Sequence, residues 1–158
     1  MTLPRRRYLT LLGGAASAAI AGCGATGSVD RTTYDAPSTS VPDSATNFLA
    51  DTSNFDGTAV DLTGRDTAEV YVGTKGNGGF FAFDPPAIEI ASGTTVTWNW
   101  TGKGGAHNVA AKDGSFRSGP AKASVDTTFE HTFSESGVYP YFCTPHRMNG
   151  MKGVVVVK

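Results

Sequence analysis

Short runs rich in Val, Thr, Phe, Trp and Tyr are the feature that most constrains the fold of this 158-residue chain. They recur past Thr46 between clusters of Gly, Pro, Asn and Ser, without a helical period, and this pattern predicts β-strands. The segment 47–64 has apolar residues without a clear period and is expected to form an extended arm packed on the sandwich. Seven or eight strands require two sheets, so the sequence predicts an all-β sandwich. The candidate strands are residues 69–73, 79–83, 87–91, 95–100, 107–111, 127–133, 138–143 and 153–158.

Charge and cysteine content exclude several functional classes. The formal net charge of -1 provides no basic field for a phosphate backbone, so nucleic acid is not expected as a partner. Two cysteines form at most one disulfide, which excludes a small scaffold held together by several disulfides. Three histidines are too few for a multi-metal centre that depends on histidine ligands.

Residues 1–22 have the layout of a signal peptide. Arg5, Arg6 and Arg7 precede an apolar stretch over residues 8–20, which is shorter than the ~20 residues that a membrane-spanning helix needs. The arginine pair and its surroundings resemble a twin-arginine export signal. Residues 20–23 resemble a lipobox, which predicts that Cys23 is lipidated and anchors the exported protein to the outer face of the cytoplasmic membrane. Two alternatives to this prediction are that the apolar stretch is retained as an anchor helix and that Cys23 forms a disulfide with Cys143.

The segment that follows the leader has few large apolar side chains. Residues 24–45 are rich in Ser, Thr, Asp, Pro and Gly, so burial cannot offset the entropy lost on ordering them. We therefore expect a lipidated N-terminus and flexible linker over residues 23–45, and a folded domain over residues 46–158.

A thiol, an imidazole and thioethers lie close together near the C-terminus. Cys143 and His146 are followed by Met148 and Met151, and His107 offers a second imidazole from another predicted strand. Thiolate and thioether ligands favour copper, and two His, one Cys and a weak axial Met form a trigonal electron-transfer site. Taken singly, Cys143 could be a buried small side chain and Met151 a core residue, and spacing alone does not choose between the two methionines.

Five sequence motifs follow one another in a characteristic order: Gly93-Thr94-Thr95-Val96-Thr97-Trp98, Ala106-His107-Asn108-Val109, Gly137-Val138-Tyr139, Cys143-Thr144-Pro145-His146 and Gly150-Met151-Lys152-Gly153. Their order and spacing resemble the cupredoxins, and among them the halocyanin and plastocyanin group. The resemblance covers residues 47–158, and it implies a cupredoxin-like Greek-key β-sandwich that binds one copper ion. It also implies that His107, Cys143 and His146 are the equatorial copper ligands and that Met151, rather than Met148, is the axial ligand.

The resemblance extends to residues around the ligands. Asn108 is expected to tie the two ligand-bearing loops together, and Pro145 has no N–H to donate to the nearby thiolate. Phe142 stands where acidic-patch plastocyanins have the tyrosine of a second docking site. The exposed edge of His146 is expected to lie in an apolar patch framed by Gly105, Pro145 and Gly150.

These features predict an electron carrier and not an enzyme. The expected partners are membrane electron donor and acceptor complexes of the respiratory chain, with no small-molecule substrate. Copper oxidases and nitrite reductases need histidines beyond the two ligands, and only His131 remains. An extracytoplasmic protein that delivers or stores copper is the main alternative. His131 itself is expected to pack beside two phenylalanines, and Trp98 and Trp100 to share one packed strand face.

Overall fold

The computed structural model describes residues 35–158 and confirms a two-sheet β-sandwich. The leader, Cys23 and residues 24–34 of the linker lie outside the described residues. Among residues 35–158, no helix has the length and apolar character needed to cross a membrane. In chain order, the elements are β1 (Ser38–Ser40), α1 (Asp43–Phe48), β2 (Thr58–Asp61), β3 (Thr67–Gly76), β4 (Gly79–Asp84), β5 (Ala87–Ile90), β6 (Thr94–Trp100), β7 (Ala110–Ala111), β8 (Thr128–Phe133), β9 (Gly137–Phe142), a 3-10 helix (Arg147–Asn149) and β10 (Lys152–Val157).

The two sheets have different strand orders. The six-stranded sheet runs β1-β2-β5-β10-β9-β7, and the four-stranded sheet runs β4-β3-β6-β8. Strand β6 shows how the sequence produces this arrangement, because Val96, Trp98 and Trp100 are buried while the intervening residues are half-buried. This alternation gives β6 one face toward the core, as the sequence predicted for Trp98 and Trp100.

The six-stranded sheet is covered on both faces. Val155 and Val157 of β10 pack in the core between the sheets, whereas Val154 and Val156 pack in a second cluster with Leu49. The continuous valine run of β10 follows from this double burial, because a strand with two covered faces needs no polar alternation.

The N-terminal arm is more ordered than the sequence predicted. The linker was expected to continue to residue 45, but β1 pairs antiparallel with β2, and α1 buries Ala45 against the sheet. A six-residue helix is too short to show a helical period in the sequence, and its stability comes from packing. The segment 47–64 does pack on the sandwich, where β2 becomes a sheet strand between β1 and β5.

Strand number and length also differ from the prediction. Ten strands form within residues 35–158, and the predicted strand 107–111 is reduced to the two residues of β7. His107 instead forms an isolated bridge with Lys122, in which each backbone N–H donates to the other residue's carbonyl at 2.9 and 2.8 Å. Residues 101–106 are glycine-rich and loop out before this bridge, which leaves little length for a regular strand.

Candidate metal centre

A glycine-rich loop places His107. Gly104 has a φ of +77°, and a Cβ there would lie 2.2 Å from the carbonyl oxygen of Phe80 and 2.9 Å from Nε2 of His107. The β3–β4 hairpin therefore approaches the loop so closely that only glycine fits at position 104. His107 is almost completely buried as a result.

A tight turn between β9 and β10 carries the other candidate ligands. Cys143 directly follows β9, and the His146 N–H donates to the Cys143 carbonyl at 3.2 Å. The 3-10 helix follows and ends at Gly150, whose φ of +88° is left-handed. Met151 then pairs with the start of the turn, since its N–H donates to the His146 carbonyl and its carbonyl accepts from the Cys143 N–H.

Three donor atoms converge in this region. Nδ1 of His107 lies 3.1 Å from Nδ1 of His146, and Sγ of Cys143 lies 3.7 Å and 3.5 Å from these two nitrogens. The point equidistant from the corners of a triangle with these sides is about 2.0 Å from each corner. Bonds from a metal such as zinc to imidazole nitrogen are 2.0–2.1 Å, and its bonds to thiolate sulfur are about 2.3 Å. The triangle therefore fits one metal ion.

The tautomer of His107 suits metal binding. Its Nε2–H donates to the Lys103 carbonyl at 2.7 Å, so a neutral ring carries its lone pair on Nδ1, which faces the other donors. Burial lowers the pKa of His107, and the hydrogen bond to Lys103 opposes this shift. Near neutral pH the ring is therefore unprotonated at Nδ1 and able to coordinate.

His146 lies at the boundary between the site and the surface. Its ring stacks on Phe81 with centroids 4.5 Å apart and an interplanar angle of 27°. Burial lowers its pKa as well, although the side chain is only half-buried. No hydrogen bond within residues 35–158 reaches its Nε2, so the Nδ1 side of the ring faces Cys143 while the rest is held by stacking.

Cys143 is a free, buried thiol. Burial raises its pKa, and the backbone N–H groups of Asn108 and His146 partly oppose this. Near neutral pH the metal-free thiol therefore carries its proton, and a metal must displace it to gain the thiolate ligand.

Asn108 joins the two ligand-bearing loops, as the resemblance implied. Its Oδ1 accepts from the Thr144 N–H at 2.7 Å, while its Nδ2 donates to Thr144 Oγ1 at 3.1 Å and to the Gly119 carbonyl at 3.2 Å. Pro145 is exposed in the same loop. The two hydrogen bonds to Thr144 thus fix the loop of Cys143 and His146 relative to His107.

Burial separates the two candidate methionines. Met151 is fully buried beside Cys143, whereas the side chain of Met148 is 94% exposed. Only Met151 is placed to act as a fourth ligand. Residues that sequence reasoning did not identify also surround the site, namely Phe81, Lys103, Thr52 and Asn77. They act through stacking or long-range hydrogen bonds, and no local motif marks them.

The third histidine is outside the centre. The His131 ring stacks on Phe116 with centroids 4.9 Å apart and meets Phe133 edge-on at 4.8 Å. The packed role predicted for His131 is confirmed, with Phe116 rather than Phe129 as the ring beside it in addition to Phe133. The donors that converge are two imidazoles and one thiol, and the buried Met151 thioether is the candidate fourth ligand.

This donor set and this fold define a mononuclear copper protein of the cupredoxin class. The family model described as copper-binding proteins of the plastocyanin/azurin family matches residues 68–158. Halocyanin from Natronomonas pharaonis is 42% identical over 99% of this chain and 98% of its own. The chain therefore belongs to the plastocyanin/azurin family of copper-binding proteins.

The chain is also similar to a second curated protein and to a solved structure. Plastocyanin from Scenedesmus fuscus is 29% identical over 57% of this chain and 100% of its own. A solved structure titled a novel purple cupredoxin from Nitrosopumilus maritimus is 35% identical, covers 58% of this chain and 99% of its own, and has a TM-score of 0.47.

Proposed function

We propose that the protein is an exported, lipid-anchored blue-copper carrier that moves one electron at a time between membrane donor and acceptor complexes of the respiratory chain. The observation that carries this proposal is the triangle of two Nδ1 atoms and one Sγ at 3.1–3.7 Å, with a buried thioether beside it. When bound, copper supplies one-electron redox chemistry between its two oxidation states. The proposal includes no substrate beyond the electron and its redox partners.

The proposed role of each ligand follows from the burial of its side chain and from its place in the site. His107, Cys143 and His146 would hold the copper ion, and Met151 would be a fourth, weaker ligand. Asn108 would keep the loops in register, and the N–H groups that approach Cys143 Sγ would stabilise its thiolate. Pro145 contributes no N–H of its own.

His146 is the proposed exit for the electron. It is the half-buried ligand, and Gly105 and Pro145, which the resemblance places around it, are exposed. Gly150 is buried, so the expected patch is wrong at this residue. We propose that the exposed Met148 and Phe80, which is 40% exposed, contribute to this surface instead.

Four loops at this end of the sandwich carry Lys or Arg and no acidic residue, and Asp51, which contacts the ligand turn, is paired with Lys152. Residues 74–80, 101–107, 117–124 and 144–150 contain no Asp or Glu. Complementary charge accelerates encounter and excludes wrongly charged partners. We therefore expect the docking site of the partner to be acidic. The cations in these loops are Lys75, Lys103, Arg117, Lys122 and Arg147.

The chain direction is compatible with a lipid anchor at Cys23. Strands β2, β5 and β10 are parallel to one another, and β1 is antiparallel to β2. Strand β10 begins next to Met151, at the end of the sandwich that holds the metal centre. Strand β1 therefore starts at the opposite end and runs toward the metal centre. The Asp61 N–H donates to the Pro37 carbonyl near the far end of this sheet. The linker would therefore join the domain at the end opposite His146, leaving the proposed exit free for partners.

Visible and electron paramagnetic resonance spectra of the copper-loaded domain test the proposal directly. We expect an intense blue charge-transfer band, and Cys143→Ser is expected to abolish it because a hydroxyl cannot replace the thiolate. A blue Cys143→Ser protein would contradict the ligand assignment.

A protein that delivers or stores copper is the second candidate, and kinetics separate the two. In stopped-flow oxidation and reduction with a copper(I) chelator present, a carrier is expected to cycle without losing its metal. Rapid stoichiometric loss of copper on reduction would favour delivery.

The anchor is tested by fractionation. We expect Cys23→Ser to release the mature protein from membranes, and Arg5→Lys with Arg6→Lys to retain the precursor inside the cell. A stable anchor needs two lipid chains, which a diacylglycerol-type modification supplies. A Cys23→Ser protein that stays in the membrane fraction would indicate an uncleaved helix instead.

A further inference from the structure

The peptide unit between Gly150 and Met151 is held at both of its polar atoms. Its N–H donates to the His146 carbonyl at 3.2 Å. Its carbonyl accepts two hydrogen bonds at 3.0 Å, one from Oγ1 of Thr52 and one from Nδ2 of Asn77. Because Met151 is attached to this unit, any rotation of the peptide moves the proposed axial ligand.

Both donors come from outside the ligand loops. Thr52 follows α1, is 4% exposed, and lies in the N-terminal arm, which is not covered by the family model over residues 68–158. Its own N–H donates to the carbonyl of Leu49, which is fully buried against the outer face of the six-stranded sheet. The position of the Thr52 hydroxyl is therefore fixed by the packing of the arm.

Asn77 connects the arm to the β3–β4 hairpin. It has a φ of +55°, its Oδ1 accepts from the Ser53 N–H at 2.8 Å, and its N–H donates to Ser53 Oγ at 2.6 Å. Its Nδ2 also donates to the carbonyl of Phe81, the residue that stacks on His146. One side chain thus contacts the arm, the hairpin and the ligand turn.

The surroundings of Gly150 leave no room for an alternative position. A Cβ at Gly150 would lie 2.3 Å from the Asp51 carbonyl oxygen and 3.0 Å from Asn77 Oδ1. Directly after Met151, the Lys152 ammonium forms an ion pair with the Asp51 carboxylate at 2.5 Å. The arm therefore contacts the ligand turn on both sides of Met151.

We propose that Thr52 and Asn77 are positioning residues for the axial ligand. Through the Gly150 carbonyl, they fix Met151 and thereby influence the reduction potential of the centre. This inference rests on the proposed role of Met151 in copper binding. It makes the N-terminal arm a functional part of the metal centre rather than a cover for the sheet.

Thr52→Val is the main test, because it removes the hydroxyl and nearly preserves the shape. Thr52→Ser keeps the hydroxyl, and Asn77→Gly keeps the left-handed backbone while removing the second donor. Thr94→Val is the matched control, since Thr94 is 2% exposed and its Oγ1 donates to the Arg65 carbonyl at 3.1 Å, at the opposite end of the sandwich.

The first measurement is amide hydrogen exchange in the metal-free protein. We expect the Met151 and Cys143 N–H groups to exchange about fivefold faster in Thr52→Val, as the loss of a hydrogen bond worth about 1 kcal/mol implies. The double variant with Asn77→Gly should exchange faster still. Thr52→Ser and Thr94→Val should match the wild type at both positions.

The second measurement is the reduction potential of the copper-loaded protein. Thr52→Val is expected to raise it while keeping the blue band, because a less constrained axial donor disfavours Cu(II) more than Cu(I). If Thr52→Val has the same exchange rates and reduction potential as Thr94→Val, the inference is wrong. It is also wrong if Thr52→Ser behaves like Thr52→Val. A wild type that binds no copper would overturn the proposed function instead, and the exchange data would still decide whether Thr52 positions the turn.

Discussion

Asn108→Ala is expected to destabilise the metal-free domain by about 2–4 kcal/mol. The change removes three hydrogen bonds, to the Thr144 N–H, to Thr144 Oγ1 and to the Gly119 carbonyl. Each contributes about 0.5–1.5 kcal/mol net, and Asn108 itself is only 4% exposed. The magnitude is therefore large for a substitution outside the hydrophobic core.

Urea unfolding of the metal-free protein measures this effect. With a denaturant slope of about 2 kcal/mol/M, the midpoint should fall by roughly 1–2 M. Asn99→Ala is the control, because the Asn99 side chain is half-buried and makes one long hydrogen bond of 3.4 Å to Glu69. We expect the control to change stability by less than about 0.5 kcal/mol. Equal losses in the two variants would refute the view that Asn108 holds the ligand loops together.

Three further predictions concern the axial ligand, pH and docking. Met151→Leu should keep the blue band and raise the reduction potential, whereas Met148→Leu, at an exposed position, should leave both unchanged in the same voltammetric and spectroscopic measurements. Burial lowers the pKa of His131, so the unfolded chain binds its proton first and stability falls as the pH drops below about 6.5. Urea midpoints at pH 7.5 and 5.5 should show a smaller fall in metal-free His131→Asn than in the wild type. Gly105→Asp should slow oxidation by ferricyanide in low-salt stopped-flow measurements relative to the neutral Gly105→Asn, with equal spectra, because both residues tolerate the φ of +84° and only charge differs.

The sequence predicts the sandwich well because its signals are local. Alternation in β6 and turn residues such as Gly93, whose φ is +92°, depend on neighbours only a few positions away. The same holds for the ligands in the Cys143 turn, which lie within nine residues of each other. Local spacing and residue type were sufficient to identify the candidate donors, and the family resemblance was needed to choose Met151 over Met148.

The N-terminal arm could not be predicted in this way. Strand β1 has three residues and α1 has six, and neither length is stable without tertiary packing. Ala45 and Leu49 are buried because they pack against Val154 and Val156 on the outer face of the six-stranded sheet. The information lies in the pairing of distant segments, and the composition of residues 38–45 indicated a flexible linker instead.

The metal centre depends both on local sequence signals and on contacts between distant segments, and these contacts affect its electron-transfer chemistry. The identity of the donors is local, but their positions depend on the Lys103 carbonyl behind His107, Asn108 across the two loops, and the Thr52 hydroxyl behind Met151. Each ligand segment is therefore fixed by a bond that does not involve a metal. A centre whose protein groups are already in place needs little rearrangement when its charge changes by one, and low rearrangement is what rapid electron transfer requires. The long-range hydrogen bonds, rather than the ligands alone, are thus the part of this structure that favours a carrier over a protein that releases its metal.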